Sequence, residues 1–186
     1  YRLARKLIRG IFRTISFLPN GEELKPLLEF DLRQVFLANR YSELITDITG
    51  VANINEAKHH GPYNMGMVAA GTIDLMGTKK ISKNSIGKSR EVFLKAQRYG
   101  RICNLLTTFD REMKEGDLSS EIYIYLNQPF IKNKSLKSYK AILEVEMDSV
   151  LKKIQSSFKE VEFNVTTYVF GLKQFLTLHN NMKRVL

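Results

Sequence analysis

The sequence contains one cysteine, four prolines, no tryptophan and no long apolar run, and these scarcities exclude several classes of protein. With Cys103 alone, an intramolecular disulfide is impossible, so we expect a buried thiol. No segment approaches the roughly 18 consecutive apolar residues that a membrane-spanning helix needs. The first ten residues, YRLARKLIRG, also lack the apolar run and cleavage site of a secretory signal. We therefore expect an intracellular soluble protein.

Positive charge is abundant: 29 Lys and Arg residues against 19 Asp and Glu give a net charge of +10. This excess fits nucleic acid, a membrane surface or a phosphorylated ligand, and it does not choose among them. The 186 residues suffice for one compact domain with an apolar core, so one helical domain over residues 1–186 is expected. Because the chain begins with Tyr1 rather than Met, we expect it to be part of a longer protein.

Apolar residues recur at helical spacing through most of the chain, whereas period-two alternation is weak. A polar, basic stretch at 77–85 is typical of a loop. The predicted fold class is all-α, a helical bundle with short connections. The predicted helices cover residues 3–17, 22–49, 57–76, 87–115, 120–126, 136–157 and 160–183.

The first predicted helix is basic and amphipathic. Such a helix can lie on an anionic membrane or on nucleic acid, although the solvated outer face of a packed helix is the commoner interpretation. The absence of Trp weighs against membrane anchoring. The basic positions are Arg2, Arg5, Lys6, Arg9 and Arg13.

The predicted helix at 57–76 contains Gly61, Pro62, Gly66 and Gly71. An interior glycine costs roughly 1 kcal/mol relative to alanine, and an interior proline costs more. We therefore expect this helix to break or to pack closely against a neighbour.

The most informative polar pattern is Asn104, Thr108 and Glu112, at positions i, i+4 and i+8 of one predicted helix. A helical period of 3.6 residues places the three side chains on one face. Amide, hydroxyl and carboxylate oxygens are hard ligands that suit Mg²⁺ or Mn²⁺. Arg101, one turn earlier, can bind diphosphate oxygens, and Gly100 lets a ligand approach the backbone. The alternative is an ordinary polar face, because this spacing alone is not specific.

Other chemistry is poorly supported by the sequence. His59 and His60 are adjacent, so they point to different helix faces and make a poor metal pair. No Ser-His-Asp arrangement, paired-cysteine motif, phosphate-binding loop or dinucleotide fingerprint is present.

Residues 101–127, RICNLLTTFDREMKEGDLSSEIYIYLN, resemble the second metal motif of class I terpene synthases and its flanks. The motif has Asn or Asp, then Ser or Thr four residues later, then Glu after four more, and Arg precedes it. Arg101, Asn104, Thr108 and Glu112 match this pattern. Leu105 departs from this pattern, because the family usually has Asp at that position. In the family this Asp is commonly not a direct metal ligand.

The layout of the chain is similar to the C-terminal part of the α domain of plant-type diterpene synthases, especially kaurene-synthase-like enzymes. The resemblance implies a magnesium-dependent cyclase whose substrate is a prenyl diphosphate such as copalyl or geranylgeranyl diphosphate. It implies a plastid location if the source is a plant, and a cytoplasmic one otherwise. It also implies that residues 53–77 line the substrate pocket, through Tyr63, Gly66, Met67 and Val68.

The aspartate-rich DDxxD motif of this family is missing from the sequence. By the spacing of the family, the motif is expected before residue 1, so this chain alone would hold half of a metal site. Two alternatives stay open. One is a non-catalytic basic module that binds an anionic membrane or nucleic acid, and the other is a cyclase relative that has lost class I activity.

Overall fold

The computed structural model describes residues 2–48, 50–129 and 135–182. Within these ranges every regular element is helical and no strand occurs, which confirms the all-α prediction. No helix in the same ranges has the length and apolarity needed to cross a membrane. The helices are α1 (Arg2–Ile15), α2 (Gly21–Asp47), α3 (Ile54–His60), α4 (Met67–Gly77), α5 (Lys83–Glu115), α6 (Glu121–Asn127), α7 (Leu136–Ser156) and α8 (Val165–Met182).

Helix α5, with 33 residues, lies at the centre of the bundle and packs against α4, α7 and α8. Its first turn is capped by Ser82, whose side chain accepts a hydrogen bond from the backbone N–H of Asn84. Its last turn closes at Gly116, where φ is +75°. The structure buries residues on most of its circumference, including polar ones.

Three clusters of apolar side chains surround α5. The first joins it to α7 and α8, the second to α2 and α4, and the third to α6 and α7. Each fully buried large side chain contributes roughly 1.5–3 kcal/mol. Cys103 lies in the first cluster as a buried thiol, as expected, and burial raises its pKa to about 11. The first cluster includes Tyr99, Ile154 and Leu172, and the second includes Leu28, Met76 and Phe93. The third includes Leu105, Ile122 and Leu143.

The helix predicted at 57–76 is broken, as expected from its glycines. Helix α3 passes into a 3₁₀ turn, Gly61–Met65, and α4 starts after Gly66. Gly66 has φ +63°, a left-handed conformation that a residue with a Cβ rarely adopts. The break is therefore a local consequence of the sequence.

Some predicted boundaries differ from those observed. Helix α5 begins at Lys83, so the basic loop is shorter than predicted, and Lys83 pairs with Glu23 at 3.0 Å. The last helix begins at Val165 rather than at residue 160, because a 3₁₀ turn, Ser157–Lys159, ends the preceding helix. The side chains of Arg2 and Arg5 in α1, and residues 130–134, lie outside the described part of the chain, whereas Lys6, Arg9 and Arg13 are exposed.

Arg98 ties α5 to α6 and α7. Its guanidinium binds both oxygens of Glu121 and both of Glu146, at 2.7 and 2.9 Å for Glu146. The hydroxyl of Tyr139 donates to Glu121 at 2.7 Å. Hydrogen bonding to Arg98 holds the pKa of Glu146 below its ordinary value. This network fixes the mutual positions of three helices, because every member has a partner.

The network predicts a pH-dependent contribution to stability. Because the pKa of Glu146 is lower in the folded chain, its ionised form stabilises the fold above the ordinary value of 4.5. That contribution is lost as the pH falls through the folded-state pKa. Glu146→Gln should therefore lower the free energy of unfolding by about 1 kcal/mol at pH 7 and by much less at pH 3. Urea unfolding at a series of pH values measures both.

The matched control is Glu144→Gln, an exposed carboxylate on the same helix. It should change stability little at either pH, because surface substitutions are usually worth less than about 0.5 kcal/mol. A loss for Glu146→Gln that is equal at pH 7 and pH 3 would contradict the ion-pair interpretation.

Candidate metal and diphosphate site

The structure brings Asn104, Thr108 and Glu112 together on consecutive turns of α5. The hydroxyl of Thr108 lies 2.7 Å from the carbonyl oxygen of Asn104 and 2.6 Å from Oε1 of Glu112. A threonine hydroxyl has one proton, so it can donate to only one of these oxygens. The hydroxyl therefore donates either to the main-chain carbonyl of Asn104 or to the carboxylate of Glu112, while the side-chain oxygen of Asn104 accepts from Arg101.

Glu112 is 5% exposed, and its Oε1 is within hydrogen-bonding distance of Thr108. Its other oxygen, Oε2, is buried without a hydrogen-bond partner among the described residues. A buried carboxylate is costly unless it is paired or coordinates a metal. The orphaned oxygen is the observation that fits this face to a divalent cation.

Arg101 is 8% exposed, and its Nη1 donates to Oδ1 of Asn104 at 2.9 Å. Its Nε is buried without a partner, and no carboxylate pairs with it in the ranges that the structure describes. A buried guanidinium without a counter-ion suits an anionic ligand, and its planar fork matches phosphate oxygens.

Two glycines let the helix break approach α5 closely. A Cβ added to Gly100 would lie 2.7 Å from Sδ of Met67, and one added to Gly61 would lie 3.4 Å from Nε of Arg101. The first distance is shorter than a van der Waals contact between non-bonded atoms, and the second is at its lower limit. The break therefore lies directly beside the polar face of α5.

An apolar cleft of 570 Å³ opens between α4, α5 and α8. Met67 and Phe175 line this cleft, and both also lie close to Gly100, one turn before Asn104 on the same face. The cleft therefore approaches the polar face at Gly100, although Arg101, Asn104, Thr108 and Glu112 are not among the residues that line it. The apolar walls are formed mainly by Met67, Leu75, Phe93, Phe163, Tyr168 and Phe175.

Of the four pocket residues predicted from the sequence, Met67 is the one that lines this cleft. Val68 is 2% exposed within the core, where its N–H donates to Gln97 at 3.2 Å. Gly66 forms the helix break, and Tyr63 is half-buried with its ring 6.5 Å from that of His59. The cleft residues of α8 were not predicted, because their spacing carries no motif.

Leu105 lies on α5 one residue after Asn104, so its side chain is rotated by about 100° from that of Asn104. It is fully buried and packs with Ile102, Phe109 and Tyr139 in the third apolar cluster. An aspartate at this position would place a carboxylate in that cluster. The departure from the family motif is therefore consistent with the packing of this chain.

Among Asn104, Thr108 and Glu112, only Glu112 carries a carboxylate. In the described ranges no group of three or more His, Cys, Asp or Glu side chains is placed to hold a metal.

The rings of His59 and His60 are 4.8 Å apart, packed edge to face with each other. Burial, followed by the charge of His59, lowers the pKa of His60.

Comparisons with protein-family models, with curated proteins and with solved structures found no match to this chain. The candidate site is therefore supported by the resemblance of the motif and by the geometry of α5. Five buried side-chain atoms lack a hydrogen-bond partner in the described part of the chain, and Nε of Arg101 and Oε2 of Glu112 are the two that belong to charged groups. The other three are hydroxyl oxygens of Tyr41, Ser89 and Ser120.

The orientation of Leu105 is testable. Leu105→Asp should destabilise the fold by about 4 kcal/mol or more, or prevent folding, because it buries an unpaired carboxylate in an apolar cluster. The control is Leu94→Asp on the same helix, where 42% of the residue is exposed and a loss below about 1 kcal/mol is expected. Circular dichroism during urea unfolding gives both values. Equal losses would show that position 105 does not face the core.

Proposed function

We propose that this chain is the C-terminal part of a magnesium-dependent terpene synthase that ionises a prenyl diphosphate, such as copalyl or geranylgeranyl diphosphate. The observation that carries the proposal is the pair of incompletely satisfied buried charges, Arg101 and Glu112, on one helix. They are 11 residues apart, about 16 Å along the axis. A diphosphate would pair with the first and a cation with the second.

In this proposal Asn104, Thr108 and Glu112 hold one Mg²⁺ through an amide, a hydroxyl and a carboxylate oxygen. Mn²⁺ is the alternative, because it accepts the same hard ligands. The bound ion would neutralise negative charge that develops on the departing diphosphate. Because these three residues bring only one negative charge, the anionic substrate completes the balance.

Arg101 has two roles in the proposal. It orients Asn104 by donating to Oδ1, and that oxygen keeps a second lone pair for a metal. Its unpartnered Nε packs beside Gly61, where an added Cβ would lie 3.4 Å from it, so the absence of a side chain accommodates the guanidinium. The guanidinium would therefore hold the diphosphate while the carbon–oxygen bond breaks.

The apolar cleft would hold the hydrocarbon part of the substrate. Its walls are apolar and aromatic, so they would exclude water from a reactive carbocation. Since Met67 and Phe175 connect the cleft to Gly100, the hydrocarbon would start one turn from Asn104.

A complete site needs more carboxylates than Glu112 provides. The proposal therefore includes an aspartate-rich motif that precedes residue 1 in the natural polypeptide. A plastid location in a plant, or a cytoplasmic one elsewhere, belongs to the same proposal.

The proposal predicts that Asn104→Ala and Glu112→Gln, made in the full-length protein, reduce magnesium-dependent turnover by at least about 100-fold. The physical reason is the loss of a metal ligand while the size of the side chain at 112 is kept. Release of inorganic diphosphate from geranylgeranyl and copalyl diphosphate measures the effect. Turnover should be partly restored by a higher Mg²⁺ concentration if binding of the ion is what was lost.

The matched control is Glu115→Gln, a carboxylate that is 61% exposed near the end of the same helix. It should leave turnover unchanged within a factor of about two, because its partner is the exposed Arg111. Wild-type turnover that survives in Glu112→Gln would remove this residue from the mechanism. A wild-type protein without turnover would favour a relative that has lost the activity.

A further inference from the structure

We propose that Phe93, held in position by Gly71, sets the length of the hydrocarbon chain that the apolar cleft accepts. This inference rests on the proposed function, because it takes the hydrocarbon to enter the cleft from the polar face of α5. It concerns the part of the cleft where α4 contacts α5, about 10 Å along α5 from Gly100.

The contact between Gly71 and Phe93 is unusually close. A Cβ added to Gly71 would lie 2.5 Å from Cδ2, 2.7 Å from Cε2 and 2.7 Å from Cγ of the Phe93 ring. Non-bonded atoms do not approach to such distances, so any other residue at 71 would displace the ring. The lack of a side chain at Gly71 therefore determines where the ring lies.

A displaced Phe93 ring must change the shape of the cleft. The ring is stacked on that of Phe163 at 5.7 Å, with Tyr168 at 6.1 Å. Phe163 and Tyr168 pack edge to face at 5.4 Å. All three rings line the cleft. Movement away from Gly71 thus pushes an aromatic wall either into the cleft or against the other rings that form it.

The direction of the ligand follows from the order of contacts along α4 and α5. Met67 meets Gly100 near the polar face, and Gly71 meets Phe93 about 10 Å further along α5. Asp74 and Thr78 line the cleft beyond that contact. An anionic head at Asn104 therefore leaves the hydrocarbon tail pointing towards Phe93.

The far end of the cleft disfavours a second anionic group. Asp74 lines this end, and its negative charge adds to the effect of burial, which raises the pKa of Tyr168 to about 12. Tyr168 is thus a neutral, mostly apolar wall at physiological pH. The tail that fits here is uncharged, and its length is limited where it reaches the ring of Phe93.

The test uses saturated n-alkyl diphosphates with 10, 15 and 20 carbons, which bind without reacting, together with inorganic diphosphate. Binding to the full-length protein is measured by titration calorimetry in the presence of Mg²⁺. In the wild type, affinity should rise by up to roughly fourfold for each additional buried CH₂ and then level off. In Gly71→Ala the affinity should stop rising at a shorter chain length than in the wild type. The longest probe should bind at least tenfold more weakly.

Two further variants make the result specific. Phe93→Leu should extend the rise to longer chains, because it removes part of the wall while keeping an apolar side chain. Gly87→Ala is the matched control, since a Cβ at this position in α5 would meet nothing within 4 Å. It should leave the dependence on chain length unchanged. Melting temperatures of all variants show whether they remain folded.

The outcomes separate this inference from the proposed function. If inorganic diphosphate binds equally to the wild type and Gly71→Ala while long chains are selectively weakened, the inference holds. If inorganic diphosphate binds, but both Gly71→Ala and Phe93→Leu show the same dependence on chain length as the wild type, the inference is overturned and the head site stands. If inorganic diphosphate does not bind the wild type with Mg²⁺, the proposed function fails and this inference fails with it.

Discussion

The burial of α5 on most of its circumference is the constraint on which the rest of the structure depends. Because α5 is buried on most sides, its polar side chains meet other helices rather than water, and several of them hydrogen-bond to those helices. Arg90 finds Asp31 on α2 at 2.7 Å, and Gln97 accepts from the N–H of Val68 at the start of α4. These contacts place the surrounding helices by hydrogen bonding as well as by apolar packing.

Two arginines one turn apart show how differently this demand is met. Arg98 binds two carboxylates from α6 and α7, and these hydrogen bonds and charges raise its pKa although burial opposes them. Arg101 donates to the amide of Asn104 and has no carboxylate partner in the described ranges. The positive charge of the first is balanced within the fold. The charge of the second is balanced only if something else supplies an anion, so Arg101, rather than Arg98, points to a ligand.

The sequence predicted those features that depend on neighbouring residues. Helical periodicity predicted the helices, the glycines predicted the break that occurs at Gly66, and the i, i+4 spacing placed Asn104, Thr108 and Glu112 on one face. Features that depend on distant partners were missed. The burial of α5 on most sides requires polar partners from other helices, and the cleft joins Phe93 to residues of α8 that lie about 75 to 80 positions later. No local spacing encodes such contacts.

Under the proposed function, the close approach at Gly100 would let head and tail recognition share one helix. A side chain there would overlap Sδ of Met67, so the Met67 side chain, which lines the cleft, would have to shift. With glycine at this position, α5 presents in order an aromatic wall at Phe93, a bare backbone at Gly100 and the oxygens that begin at Asn104. A rigid helix fixes these distances, because its rise is about 1.5 Å per residue. Under the same proposal, chain length and head-group position would be measured along one axis, so a ligand whose tail is too long would have to withdraw its head from the polar face.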